Sequence, residues 1–270
     1  MNEPLVSFII PYFNSGETIQ ETINSILNQS YKNFDIWIVN DGSTDPFSIQ
    51  KLKDFEENDK IYIIHQENAG PSVARNLAIQ QCKAEFIVPL DADDLIESRS
   101  INDSINIFNN PQIGVVYGDI QYFGEERTHK IQSDFILERQ LIMNQIAVTA
   151  LIRKAVYNQV GYYDEFLSKP GLEDWEFWLR VGQSSWKFVK LNTIFFKARL
   201  INSSRTYQVA NKNIDIIKDY VYKKHAILIM KTFHDLYYQK KQLLETPDYK
   251  IGNTVMAPYR YLKKKFFKNG

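Results

Sequence analysis

Long apolar runs are missing from this chain. No uninterrupted stretch approaches the roughly 20 residues that span a bilayer, so the sequence predicts no transmembrane helix. Cysteine is nearly missing too. The single Cys82 excludes an internal disulfide and a Cys-rich zinc site, fits a reducing cytosol, and reads as a small apolar residue packed on a helix. Net charge is lacking as well: 32 lysines and arginines balance 32 aspartates and glutamates. Because nucleic-acid binding is mainly electrostatic, no nucleic-acid partner is expected. The four histidines, His65, His129, His225 and His234, include no pair at the i, i+4 spacing of a helical zinc site. Met1-Asn2-Glu3-Pro4 offers no basic n-region and leads into a strand-length apolar run, so the expected location is cytoplasmic. No internal repeat or low-complexity tract is present.

What is there is alternation. Apolar, β-rich runs at Leu5–Ile10, Phe34–Asn40, Ile61–His65, Phe86–Leu90 and Val115–Tyr117 alternate with helical patterns, the signature of βαβ units and a largely parallel sheet. Asn14, with Glu17 three residues on, predicts an N-cap for a helix whose Ile19, Ile23, Ile26 and Leu27 share one face. Further helices are predicted near 47–58, at 71–83 behind Pro71, and at 98–109. After about residue 120 the alternation fades into a helical pattern from Phe135 to Tyr157 and then the string Gly171-Leu172-Glu173-Asp174-Trp175. Ile214 to Glu245 reads as helix. The stretch Pro258 to Lys268 carries five basic residues, no acid, and interleaved aromatics.

Two acidic turns stand at strand ends: Asn40-Asp41-Gly42-Ser43-Thr44-Asp45 and Asp91-Ala92-Asp93-Asp94. In open α/β sheets, ligands bind outside the carboxyl ends of the strands. A hard cation such as Mg²⁺ or Mn²⁺ binds there through one or two carboxylates together with substrate phosphates. Each turn also has a plain structural reading. Asp, Gly and Ser favour turns in any case, and the acids from Asp91 to Asp94 would serve to cap a helix beginning near Ser98.

Five strings in order resemble the family 2 glycosyltransferases of GT-A fold: Pro11-Tyr12-Phe13-Asn14, Asn40 to Asp45, Asn68-Ala69-Gly70-Pro71-Ser72-Val73-Ala74-Arg75-Asn76, Leu90 to Asp94, and Glu173-Asp174-Trp175. The likeness runs from about Val6 to Arg180. It implies an α/β, Rossmann-like nucleotide-sugar-binding sheet flanked by helices over residues 1–205, with 1–120 for the nucleotide, 121–205 for the acceptor, and a C-terminal helical extension over 206–270.

By the same resemblance, Asp93 is the metal ligand of the DxD motif and Asp91 orients ribose or metal-bound water, with Ala92 between them at the donor. Asp41 accepts the N3–H of uracil, and Phe13 stacks on the base beside Pro11 and Asn14. Arg75, on a helical first turn, suits a diphosphate or uridine oxygen, unless it is a plain surface arginine. Asp174 is the general base of inverting members. Trp175 and Trp178 would wall it with apolar surface, or else are core, while Glu173 and Asp174 would simply open a helix. Many relatives carry a histidine in a stretch like Arg-x-His-x-x-Ser. Here Arg199-Leu200-Ile201-Asn202-Ser203-Ser204 puts Ile201 in that slot. That departure implies thinner ligation of the cation, with Arg199, Asn202 or Ser204 contacting the diphosphate instead.

The reading is therefore an inverting glycosyltransferase. It would use a UDP-sugar and Mn²⁺ or Mg²⁺ on a saccharide or lipid-linked saccharide acceptor, in bacterial surface polysaccharide synthesis, with the 258–268 tail on an anionic membrane face. The alternatives are a non-catalytic nucleotide-sugar-binding subunit of the same fold, or a metal-dependent phosphatase or nucleotidyltransferase. Against the latter, the first strand is followed by neither a DxDxT/V string nor a Walker-type loop.

Overall fold

Strands buried on both faces need continuous apolar runs, and the first third of the chain supplies them. In a computed structural model that describes residues 3–125, 127–200, 212–246 and Tyr249, the elements follow as β1 (Val6–Tyr12), α1 (Ile19–Leu27), β2 (Phe34–Asp41), α2 (Pro46–Lys53), β3 (Ile61–Gln66), α3 (Pro71–Gln81) and β4 (Phe86–Pro89). Strand β1 pairs in parallel with β2 and β4, and β2 with β3. The side-chain period of two splits β1 between two cores: Phe8 and Ile10 pack on one face of the sheet, Ile9 on the other with Ala74 and Ala78 of α3. Parallel pairing has one consequence for function. The ends of β1, β2 and β4 open at the same edge, so Phe13 and Asp91, just past β1 and β4, stand beside Asp41, the last residue of β2.

The remaining elements of the sheet are β5 (Leu95–Ile96), α4 (Ser100–Ile105), β6 (Ile113–Gly124), β7 (Thr128–Lys130), α5 (Leu137–Gln140), β8 (Leu151–Arg153), α6 (Lys154–Val160), α7 (Glu173–Gly182) and β9 (Lys187–Leu200). Among the described residues the strand order is β3-β2-β1-β4-β8-β6-β9-β5, with β7 on β6. The pairs β4·β8, β6·β8, β6·β7 and β5·β9 are antiparallel.

Within the sheet-bearing part of the chain the structure departs from the sequence expectation in three places. The helix predicted over Phe135 to Tyr157 is one turn of α5, an irregular stretch, then β8 and α6. Its middle is held out of helix by side-chain amides: Gln145 donates to the Ile136 carbonyl (2.7 Å) and accepts from the Ile136 N–H (3.2 Å). Asn14 does not cap α1, which begins at Ile19 after Thr18. It sits at φ 51°, and its side chain serves a different loop. The acids after β4 cap no helix, because β5 and Glu97 to Arg99 intervene before α4.

The chain divides into two compact units, Met1–Asp219 and Tyr220–Gly270. The helix predicted over Ile214 to Glu245 is two, α8 (Ile214–Lys224) and α9 (Ala226–Glu245), and α9 buries none of its residues. Among the described residues no helix is long and apolar enough to cross a membrane.

Candidate active site

The edge where β1 and β2 end is built by short polar side chains. The Asn14 Oδ1 accepts from the backbone N–H groups of Thr44 and Asp45, each at 2.9 Å. Asp45 in turn caps α2: its carboxylate accepts from the Ser48 hydroxyl (2.6 Å) and from Ser48 N–H (2.7 Å), and those two bonds hold it below the usual range. Phe13 is left 46% exposed beside this clamp, with Pro11 half-buried one strand position before Tyr12. Asp41 is buried. Its carboxylate accepts from Ala69 N–H (2.8 Å), Gly70 N–H (2.8 Å) and Gln66 Nε2 (2.7 Å), which folds the 66–70 loop over the strand end. A carboxylate has about four lone-pair sites, so one remains for a further donor. Gly70 is required at the close of that loop: it has φ 90°, and a Cβ there would lie 2.5 Å from Ser168 Oγ.

The turn after β4 is fixed from α1 and β9. The Ala92 carbonyl accepts from the hydroxyls of Thr18 (2.9 Å) and Thr22 (3.0 Å). Buried Asp94 accepts from the Arg199 N–H at 2.9 Å, so its role is to bind the turn to β9. The Arg199 Nε donates to the Asp93 carbonyl (3.1 Å), and its Nη2 reaches Glu21 (2.9 Å). Burial, reinforced by the charge of neighbouring Asp91, pushes the Asp93 carboxyl up to about 6. Ser204, with Ile201, Asn202 and the basic tail, lies outside the described residues.

The side chain of Arg75 joins this turn to α7. Arg75, on the first turns of α3, is 3% exposed, so it is no surface arginine. Its Nη2 meets Asp91 Oδ1 at 2.5 Å and its Nη1 donates to Glu173 Oε1. The Tyr163 ring lies 5.8 Å from the guanidinium. Glu173 and Asp174 open α7 after Leu172, which is held at φ 59°. Asp174 is half-buried and accepts from Asn144 Nδ2 (2.8 Å) and from its own neighbour Trp175 N–H (2.9 Å). Burial, then the charge of Glu173, push its carboxyl up to about 7 against the lowering effect of those bonds. A carboxylate poised near neutrality suits a general base. Trp175 and Trp178 are core: both are buried, and their indole N–H groups donate to the carbonyls of Gln140 and Ile146.

The structure thus brings Arg75, Asp91, Asp93 and the Glu173-Asp174 pair to one region, and Phe13, Asn14 and Asp41 to the adjoining strand ends. Sequence reasoning missed Asn144, which lies 30 residues from Asp174 and has no local motif. For Glu173 it offered no role beyond opening a helix, although the residue stands in the Glu173-Asp174-Trp175 string. Among the described residues no group of three or more His, Cys, Asp or Glu side chains could hold a metal. Two carboxylates, one with a raised pKa, still fit a cation whose other ligands are diphosphate oxygens and water.

A sequence profile described as "Glycosyl transferase family 2" matches residues 7–166. The chain belongs to the family 2 glycosyltransferases. It is 30% identical over 233 residues to an uncharacterized glycosyltransferase of Rickettsia typhi, covering 80% of this chain and 69% of that protein. It is also 29% identical to the teichoic acid poly(glycerol phosphate) polymerase of Staphylococcus epidermidis, over 80% of this chain and 32% of the polymerase. Among solved structures, S. aureus TarS in complex with UDP-GlcNAc superposes with TM-score 0.62 at 21% identity, covering 75% of this glycosyltransferase and 60% of that chain. The Pyrobaculum calidifontis mannosyltransferase with GDP-Man and Mn²⁺ gives 0.59 at 13%, over 100% and 89%. These likenesses establish the GT-A fold. The chain spans between 32% and 89% of the length of these relatives and fold neighbours.

Proposed function

We propose that this glycosyltransferase moves a hexosyl or N-acetylhexosaminyl group from a UDP-sugar to a hydroxyl of a saccharide or lipid-linked saccharide, with inversion, in bacterial surface polysaccharide synthesis. The observation that carries the reading is the Arg75 guanidinium, which touches both Asp91 of the acidic turn and Glu173 beside Asp174. One side chain thereby ties a donor-binding turn to a candidate base.

In this reading the uracil ring stacks on exposed Phe13, and its N3–H donates to the remaining acceptor site of Asp41. Asp93, with Asp91, would hold Mn²⁺ or Mg²⁺, which when bound neutralises charge building on the leaving diphosphate. Asp174 takes the proton of the acceptor hydroxyl. The freed oxygen pair forms the new bond to the anomeric carbon from the face opposite the breaking carbon–phosphate-oxygen bond, whose electrons leave with UDP. Arg199, already at the Asp93 carbonyl, and Ser204 are the proposed diphosphate contacts. A relative named as a teichoic acid polymerase and a fold neighbour solved with UDP-GlcNAc support the surface-polysaccharide and UDP-sugar parts. The neighbour solved with Mn²⁺ supports the cation. Residues 1–205 form the transferase domain in this account. Residues 206–270 are its extension, with 258–268 on the anionic inner face of the cell membrane.

The test is UDP release from UDP-glucose and UDP-N-acetylglucosamine with Mn²⁺, with and without saccharide acceptors. Acceptor-stimulated release that Asp174→Asn abolishes supports the reading. Tight UDP binding with no release from any donor would favour the non-catalytic subunit.

A further inference from the structure

Arg75 is shared unequally. Its Glu173 partner has a side chain 8% exposed, and its Asp91 partner one 43% exposed, so the Glu173 end of the bridge is closed and the Asp91 end faces the donor edge. Breaking the closed end would leave a buried cation short of a partner, whereas the open end can exchange with solvent or ligand. The segment before α7 is bound to α3 by further contacts. The Asn76 amide donates to the Tyr163 carbonyl (2.9 Å) and accepts from the Tyr163 N–H (3.0 Å), and the Ser72 N–H donates to Ser168 Oγ (3.0 Å). Those contacts hold the approach to α7. Among the described residues, only the Glu173 contact continues through a guanidinium to the turn that carries Asp91 and Asp93. Glu173 is also the residue adjacent to Asp174, following a left-handed Leu172 whose conformation the surroundings must enforce.

We propose that Glu173 is a positioning residue for transfer: through Arg75 it locks the first turn of α7 to the acidic turn after β4, and so sets the distance from Asp174 to the bond that breaks. The inference rests on the assignment of Asp174 as base and of the Asp91 turn as donor site. Its chemistry is rigidity. The planar guanidinium bonds two carboxylates from two different elements through separate nitrogens, and an ammonium cannot reproduce that geometry. A base misplaced by about 1 Å loses on the order of 100-fold in rate.

The alternative is that Glu173 only neutralises a buried arginine. Two substitutions separate the roles, with kcat and donor KM from UDP release, UDP affinity from calorimetry, and Tm measured on each. Glu173→Asp keeps the charge but is one methylene short. Positioning predicts a Tm near wild type, UDP affinity within about threefold, and kcat lowered about 10- to 100-fold. Charge neutralisation predicts that Glu173→Asp restores all of these together. Glu173→Gln and Arg75→Lys, alone and combined, form a cycle: for one shared device the double variant's kcat matches that of Arg75→Lys alone. Wild-type kcat in Glu173→Asp, or losses that multiply in the double variant, overturns the proposal. Should the Gln variant fail to fold, the Asp variant alone decides. Wild-type protein that neither binds UDP nor releases it from any donor overturns the underlying reading and this inference with it, whereas active wild type with indifferent Glu173 variants overturns the inference only.

Discussion

Replacing Asp174 with asparagine should make the protein more stable at alkaline pH while removing its activity. Burial and Glu173 carry the Asp174 carboxyl from 3.8 to about 7 in the folded protein. A carboxyl with a raised folded pKa keeps its proton where the unfolded chain has released it, so its contribution to stability is full below about pH 4 and is lost as pH rises through 7. At 1.36 kcal/mol per pH unit, the difference corresponds to a ceiling of about 4 kcal/mol, which water at the half-exposed edge reduces. Asparagine carries no charge. It has one acceptor oxygen where Asp174 uses two, for Asn144 and for Trp175 N–H, so it loses one hydrogen bond at a cost of about 1 kcal/mol. The net expectation is a variant about 2 kcal/mol more stable than wild type at pH 8, and equal or slightly weaker at pH 5. Urea unfolding between pH 5 and 8 reads it directly, as a wild-type curve that falls with pH and a variant curve that stays flatter. Transfer should fall 10²- to 10⁴-fold with UDP affinity kept. Parallel stability curves for the two proteins would refute the raised pKa, and normal transfer would refute the base.

In wild type the same carboxyl predicts a kcat that rises about tenfold per pH unit up to an inflection near 7; a flat profile between pH 5 and 7 would contradict it. Phe13→Ala removes a half-exposed ring, so Tm should stay within about 1 °C while UDP binds about fivefold more weakly, the equivalent of roughly 1 kcal/mol of stacking. Gly70→Ala forces a Cβ against Ser168 at a left-handed φ, and denaturant unfolding should report a loss of about 2 kcal/mol or more. Deleting 258–268 should reduce sedimentation with anionic vesicles but not with neutral ones, since each basic residue near such a surface contributes about 1 kcal/mol.

Much of the first half of the chain was legible because its physics is local. A strand buried on both faces has to be a continuous apolar run, and Leu5–Ile10, Phe34–Asn40 and Phe86–Leu90 all became parallel strands whose ends carry Phe13, Asp41 and Asp91. What failed was decided by contacts far away in sequence. Asn14 has the look of a cap, but the two N–H groups it satisfies belong to Thr44 and Asp45. The apolar residues from Ala147 to Ile152 fit a helix as well as a strand until β4 and β6 claim Leu151 and Ile152. Strand β9 mixes charged and apolar residues irregularly, and its pairing with β6 includes register shifts, so no clean alternation announced it. At the site, residue types pointed to the acids, but only the fold reveals that Arg75 spends its fork on Asp91 and Glu173.

If the β4 turn and the neighbouring strand ends form a metal-assisted UDP-sugar site, the thermal stability of the protein must depend on the nucleotide and on the cation together. Wild type and Asp93→Ala would be melted with UDP, GDP, CDP or TDP and the corresponding sugars, each with and without Mn²⁺. Tm should rise selectively with UDP and only with Mn²⁺, by the equivalent of about 2.7 kcal/mol at 100 times the dissociation constant. In Asp93→Ala the Mn²⁺-dependent part of that rise should vanish. A rise that is indifferent to the base, or one that Asp93→Ala leaves intact, would contradict such a site.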